Sequence, residues 1–318
     1  MPLPTRSGFK DSKLALSGVR HIDSDTQIVN QYLLSEQIGK GAFGEVRKAV
    51  SQMDGKAYAV KILNKSVLSR KQMGRFGNAL QSVKREVAIH KMLDHPNVVR
   101  LHEVIDSPDH DRIYMVSDLV PGGALQPDAL EAEPLPLGEA RHYFAQLVAA
   151  MQYLHFNRVV HRDIKPGNLL ANRRTRELKV ADFGVSHVHE EGGDGLRSTA
   201  GTAAFTSPEM TEGGVFSGKK ADVWAVGCSL YMMLYGRPPF VAKRIYEIFD
   251  AIVEKEVEFE DSRLSRSGAE LFGCAAPQAV DGVPGNSVVG GRAASSPKGV
   301  HLRVGGKPAA DENDFVVP

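Results

Sequence analysis

The chain has 318 residues, with Lys+Arg 39 against Asp+Glu 38 and a formal net charge of +1. That length suits about two domains or one bilobal unit with a sizeable core, and the balanced charge gives no global field to draw the protein to nucleic acid or an anionic membrane. No apolar run approaches a membrane span, and the opening MPLPTRSGFKDSKLALSGVR lacks the apolar stretch of a secretory signal. Its two cysteines, Cys228 and Cys274, have no metal-ligand spacing and read as buried or free thiols of a reducing compartment, the cytoplasm with the nucleus as the other choice.

Residues 1–28 are polar and mixed, and read as a flexible arm that becomes ordered only near Asn30. From Tyr32, YLLSEQIGKGAFGEVRKAV gives a strand, glycines at Gly39, Gly41 and Gly44, and a second strand begun by Val46. A dinucleotide-binding unit would follow such glycines with a helix. Strand, glycines and strand describe instead a hairpin folded over a nucleotide's phosphates, where the missing Cβ atoms let backbone N–H groups approach. KAYAVKIL is the next strand, read with Ala59 on one side and Lys61 on the other. A lysine on a buried-looking strand needs a partner, and the candidate is Glu86. It lies in the helical stretch ALQSVKREVAIHKML, where Val83, Val87, Met92 and Leu93 recur at rough helical spacing. DHPNVVRLHEVI closes that helix at Pro96 and begins a strand; RIYMVSDLV adds another, broken by PGG at 121–123. Ser117–Val120 is therefore a hinge between a sheet-rich part and the remainder of the chain.

Beyond it, ALQPDALEAEPLPLG is a loop. EARHYFAQLVAAMQYLHF is a periodic helix with Phe144, Leu147, Val148, Met151 and Leu154 on one face. It leads into HRDIKPGN, His161–Asn168, where an Asp and an Asn five positions apart on one loop can serve two partners: Asp163 a hydroxyl proton, Asn168 a metal. LKVADFG sets Asp182 just after a short strand, a second oxygen donor of the kind Mg²⁺ needs. The Gly-rich HEEGGDGLRSTAGTAAFTSPE reads as mobile. ADVWAVGCSLYMMLYGRPPF is an apolar helix with Asp222 at its start, placed to accept backbone N–H groups of the loop. RIYEIFDAIVEKEVEFED is one more amphipathic helix, and from about Ser262 the composition turns to Gly, Ala, Ser, Pro and Val and reads as disorder to Pro318.

From Tyr32 to Asp261 these motifs, in this order, resemble a eukaryotic-type Ser/Thr protein kinase. The resemblance implies an α+β, bilobal protein-kinase fold. A small, mostly antiparallel β lobe with one major helix would span 29–119 and a larger helical lobe 120–261, between the arm 1–28 and the tail 262–318. It implies ATP with Mg²⁺ as cofactors. Asp163 is then the catalytic residue that receives the hydroxyl proton, Lys165 offsets charge on the transferred group, and Asn168 and Asp182 hold the metal. ATP-binding roles fall to Ile38, Gly39, Gly41, Gly44, Val46, Ala59 and Leu170, with Lys61 and Glu86 arranging the α and β phosphates. Ser117 would be the gatekeeper, and Asp118 and Val120 would offer their backbone to the adenine. Regulatory roles fall to Arg162, to Thr199 as a phosphate-bearing partner for it, and to Thr202 as a positioning residue near Asp163 and Lys165.

Within that superfamily, VNQYLLSEQIGKGAFGEV, LDHPNVVRLHEVID, HRDIKPGNLL and FSGKKADVWAVG look like the calcium/calmodulin-dependent protein kinase kinases and the related plant and fungal kinases that activate AMP-activated-type kinases. This implies a protein substrate, with the activation loop of an AMP-activated-type kinase as one such partner. The chain departs from the pattern in several ways. The link from Lys65 to Gln81 lacks an Arg/Pro-rich insert, and no basic amphipathic helix follows the catalytic region, so calmodulin is unsupported as a partner. Gly167 and Met232 stand where arginine-selecting kinases place acidic residues. His90 stands four after Glu86, where an apolar residue is usual. After Asp261 there is no recognisable counterpart of the last C-lobe helices or of the Arg that pairs with the glutamate of the SPE triplet, Glu209. Buried without it, Glu209 would cost several kcal/mol. Those last departures leave an alternative: a pseudoenzyme or interaction scaffold with an incomplete lower lobe.

Overall fold

A computed structural model of the chain describes residues 10–12, 19–21, 27–41, 44–71, 78–108, 110–127, 131–189, 193–197 and 199–259. The disorder read for 262–318 lies outside these described residues. The first half builds one eight-stranded sheet from β1 (Lys10–Ser12), β2 (Val19–His21), β3 (Gln27–Val29), β4 (Tyr32–Gly41), β5 (Gly44–Ser51), β6 (Ala57–Asn64), β7 (Leu101–Asp106) and β8 (Arg112–Asp118). Their order is β1-β7-β8-β6-β5-β4-β3-β2. Every neighbouring pair is antiparallel except β1 beside β7. Two of these strands correct the reading of residues 1–28 as an arm without structure: Lys10–Ser12 registers against Glu103–Ile105, and Val19–His21 against Gln27–Val29. Both are short edge strands held by backbone pairing.

The faces of β6 correct a second expectation. Residues two apart on a strand share a side, so Ala59 and Lys61 lie together, and Val60 and Ile62 lie on the other. The outer face packs Val60 and Ile62 with Leu34, Ala49, Ile105, Tyr114 and Val116. The inner face packs Leu63, Leu101, Val104, Ile113 and Met115 against α2 (Ala79–His90) through Ala79 and Val83, and against α1 (Lys65–Arg70) through Leu68. Asn64 and Asn78 cap the two helices, their side chains accepting from Val67 N at 2.9 Å and Gln81 N at 3.1 Å.

After Asp118 the chain turns mainly helical. α3 (Leu137–Phe156) buries Ala140, Tyr143, Leu147, Ala150, Met151 and Leu154. Phe144 and Val148, expected on that face, are only partly buried, so the buried stripe is rotated toward Ala140 and Tyr143. α4 (Pro208–Thr211) and the central α5 (Gly218–Tyr235) follow, then α6 (Ile245–Glu254), which buries Ile248, Ala251 and Ile252. The largest core joins α3 and α5 through Leu147, Met151, Val226, Met232 and Met233, and reaches back to Ile89 of α2 and Leu93 just after it. The architecture is the expected small sheet-rich lobe with a larger helical one. No helix among the described residues is long and apolar enough to cross a membrane.

Candidate active site

Three small strand pairings assemble the site. β9 (Val159–Val160) pairs with β12 (His187–Val188), and β10 (Leu169–Asn172) pairs with β11 (Glu177–Val180). The loop His161–Asn168 therefore begins on one pairing and ends on the other, and Asp182 emerges two residues beyond β11, beside it. Between the lobes, Val99 N donates to Val180 O at 2.9 Å and Val180 N to Asn97 O at 2.8 Å. β13 (Gly195–Leu196) and β14 (Phe216–Ser217) pin the later segment to the start of α5.

Asp222, 1% exposed, holds the loop from below. Its carboxylate accepts His161 N and Arg162 N, each at 2.8 Å, and a bond from His155 Nε2 at 2.9 Å. Three further groups converge on Asp163: Thr202 Oγ1 donates to its Oδ1 at 2.8 Å, Asn168 Nδ2 to its Oδ2 at 2.9 Å, and Lys165 Nζ lies 3.8 Å from Oδ2. Asn168 also donates to the Asp163 carbonyl at 2.8 Å. The backbone is strained where it turns: Arg162 has φ 72° and Asp182 φ 61°, in the left-handed region that non-glycine residues seldom occupy. Gly201 accommodates this crowding. At φ 115° its backbone suits glycine, and a Cβ there would stand 2.4 Å from Arg162 O.

Opposite the loop, Lys61 Nζ meets Glu86 Oε1 at 2.8 Å. Burial works against the Lys61 ammonium, but the carboxylates of Glu86 and Asp182 overcome it and raise its pKa. Asp182, at the edge of the cleft, is the mirror case: crowding by protein raises its carboxyl, while Lys61, the Gly184 N–H, His161 and Lys165 together bring it below the usual range. With its nitrogen committed to Asp163, the Asn168 amide has its oxygen left as the donor suited to a cation, and Asp182 is held ionised. Two oxygen donors fit Mg²⁺ or a similar hard cation. Among the described residues no group of three or more His, Cys, Asp or Glu side chains could hold a metal by itself, so the remaining ligands would come from phosphates and water.

Above these groups β4 and β5 form the hairpin, its last pair Gly41 opposite Gly44. At Gly44 a Cβ would stand 1.8 Å from Ile62 O, so glycine is needed there by the sheet itself. Gly39 and Gly41 have room for one, and their absent side chains matter only for what approaches the hairpin. Ile38 is an exposed apolar side chain, and Val46, Ala59 and Leu170 are partly buried. On β8, Ser117 pairs with Ala59, its Oγ 3.4 Å from Ala59 O, and Val120 is buried. Thr199 is exposed, and Arg162 Nη1 donates to Val185 O at 3.3 Å. Glu209, expected buried, is only partly so and has no ion pair among the described residues; the penalty for a buried lone carboxylate does not arise in full.

Sequence reasoning missed the network behind the hinge. The Asp118 carboxylate takes His102 Nε2 at 2.7 Å, Lys179 Nζ at 3.1 Å and Arg100 N at 3.2 Å, while Lys179 also donates to Pro96 O at 2.9 Å. One hinge side chain thus ties β7, the loop before it and β11. Burial pushes the Asp118 carboxyl up, but the His102 bond and the Lys179 charge hold it down at about 2.

A two-lobed fold with a glycine hairpin, a lysine–glutamate pair and a loop that presents an aspartate beside an asparagine defines the phosphotransferase architecture of protein kinases. The match to the protein kinase domain covers residues 32–272, and the chain belongs to that family. It is 42% identical over 233 residues to serine/threonine-protein kinase GRIK1 of Arabidopsis thaliana, covering 73% of this chain and 58% of that protein. It is 37% identical over 262 residues to serine/threonine-protein kinase ssp1 of Schizosaccharomyces pombe, covering 78% of this chain and 40% of that protein. It is also 37% identical over 253 residues to a calcium/calmodulin-dependent protein kinase kinase of Caenorhabditis elegans, covering 74% of this chain and 46% of that protein. The chain therefore spans less than two thirds of the length of these relatives.

Proposed function

We propose that the protein is an ATP- and Mg²⁺-dependent Ser/Thr protein kinase that transfers the γ-phosphoryl group to a hydroxyl on another protein. The observation that carries this reading is the Asp163 carboxylate, fixed by Thr202 at 2.8 Å and Asn168 at 2.9 Å beside Lys165. In that setting Asp163 orients the attacking hydroxyl and accepts its proton. Lys165 offsets the charge spreading over the transferred group. Lys61, held by Glu86, binds the α and β phosphates, and the hairpin at Gly39, Gly41 and Gly44 covers them with backbone N–H groups. Ile38, Val46, Ala59 and Leu170 would hold the adenine by apolar contact, and the backbone of Asp118 and Val120 would offer it hydrogen bonds. Asn168 and Asp182 would hold the metal, which when bound neutralises charge building on the phosphate oxygens. With it we infer the domain bounds, an N-lobe of 29–119 and a C-lobe of 120–261.

The substrate we infer is the activation loop of another kinase, of the AMP-activated type. One relative is named as a kinase of a kinase. The site also offers no carboxylate at Gly167 or Met232 for an upstream arginine, and Met232 is 2% exposed. An arginine placed there would lose hydration without gaining a partner. The same reading gives Arg162 a regulatory role: a phosphate on Thr199 would supply an anion for its guanidinium. The buried free thiol Cys228 agrees with a reducing compartment, the cytoplasm or nucleus.

The test is purified chain with Mg-ATP and a generic protein substrate. Asp163→Ala should lose about two to four orders of magnitude in kcat. Asp182→Asn should abolish transfer while circular dichroism shows the fold kept, since it removes a metal ligand's charge but keeps shape. Activity retained in either variant would sink the corresponding role.

A further inference from the structure

His90 closes α2 one turn after Glu86, and its ring is 6% exposed. Its Nε2 lies 2.6 Å from the Val99 carbonyl oxygen. A carbonyl has no proton to give, so Nε2 carries the hydrogen and donates, which fixes the tautomer. The ring packs on Phe183 at 4.8 Å between centroids, and Phe183 meets the His161 ring at 5.1 Å. His161 in turn donates from Nε2 to Ala181 O at 3.0 Å. Val99 is itself hung on the lower part by its N–H bond to Val180 O. One imidazole therefore links the helix that carries Glu86, the aromatic neighbour of Asp182, and the crossing where the two lobes meet.

We propose that His90 is a positioning residue for phosphoryl transfer, acting through its hydrogen bond to Val99 O to hold α2 where Glu86 reaches Lys61. The proposal rests on the kinase reading above and adds a reason for a histidine in an apolar setting. Swinging α2 outward would separate Glu86 from Lys61, now 2.8 Å apart, and would also break the His90 bond and leave the buried Val99 carbonyl unpaired. An apolar side chain at 90 could fill the space against Phe183 but could not donate. The bond thus makes the engaged position of α2 the favoured one.

The experiment compares full chain, His90→Leu and His90→Gln. Glutamine places an amide nitrogen near the position of Nε2; leucine keeps bulk and removes the donor. His90→Leu should lower kcat roughly tenfold, the population change expected for one unpaired buried acceptor, with KM for the protein substrate unchanged. His90→Gln should recover most of that loss. Leucine as active as wild type would show that residue 90 is only a spacer, and equal losses in both variants would place the effect in the ring stack; each overturns the proposal. A long-range ¹H–¹⁵N spectrum of wild type needs no activity: His90 should show a single Nε2–H tautomer, and a tautomer mixture would overturn the proposal even in an inactive preparation. Wild type inactive with that single tautomer, and with α2 amides exchanging faster in His90→Leu than in His90→Gln, would sink the kinase reading and support the His90 bond.

Discussion

Asp118→Asn removes one charge from behind the hinge and leaves a side chain of nearly the same shape. The Asp118 carboxyl is depressed from 3.8 to about 2, and its side chain is 23% exposed. At about 1.4 kcal/mol per unit this corresponds to about 2 kcal/mol of folding stability at neutral pH. Because the folded protein favours the ionised form, that contribution is fully present above 3.8 and is lost as pH falls toward 2. Urea unfolding at pH 7 should find Asp118→Asn less stable by about 2 kcal/mol. As pH falls from about 4 toward 2, wild type should lose stability more steeply than the variant, and the two curves should converge. Burial alone would have raised this carboxyl, so the net depression depends on His102 and Lys179. Equal stability at pH 7, with parallel acid curves, would show that the network contributes nothing to holding the hinge.

Ser117 presents a small side chain beside Ala59, so an ATP analogue with a benzyl group on N6 should be accepted by wild type and rejected by Ser117→Phe, with ATP use kept; equal exclusion by both proteins would show the space is filled. Thr199→Ala should lower the activity of protein isolated in its phosphorylated state, and mass spectrometry showing Thr199 unmodified in fully active protein would remove the switch. Gly201→Ala should cost about 1–3 kcal/mol locally, because it forces a left-handed backbone and a clash with Arg162 O at 2.4 Å. Its readout is loss of kcat with little change in the KM for ATP, since the strain falls on the Asp163 side of the cleft.

Much of the site could be read along the chain because its groups sit in short local patterns. The spacing from Asp163 to Asn168 and the replacement of a helix by a strand after Gly44 are such patterns. What escaped needed either the correct phase or the third dimension. Ala59 and Lys61 share a face because the strand repeat is two, whereas the sequence reading set them on opposite sides. The buried stripe of α3 includes Tyr143, whose ring is 1% exposed, in place of Phe144; the two are adjacent in sequence and both aromatic, so composition could not choose. The strands at Lys10–Ser12 and Val19–His21 pair by backbone and carry no apolar alternation. Asp118 and Lys179 are sixty-one positions apart, and only the fold brings them within 3.1 Å.

Asp222 also has a consequence for motion. Its carboxylate joins the end of α3 through His155, the catalytic loop through the amides of residues 161 and 162, and its own helix α5. None of the three can open locally without stranding a charge that is 1% exposed. Amide hydrogen exchange in this trio should therefore occur only through the largest openings the C-lobe undergoes. The anchored loop is thus the stiff part of the lobe, and on the kinase reading proposed above that stiffness would keep the Asp163 carboxylate in one place.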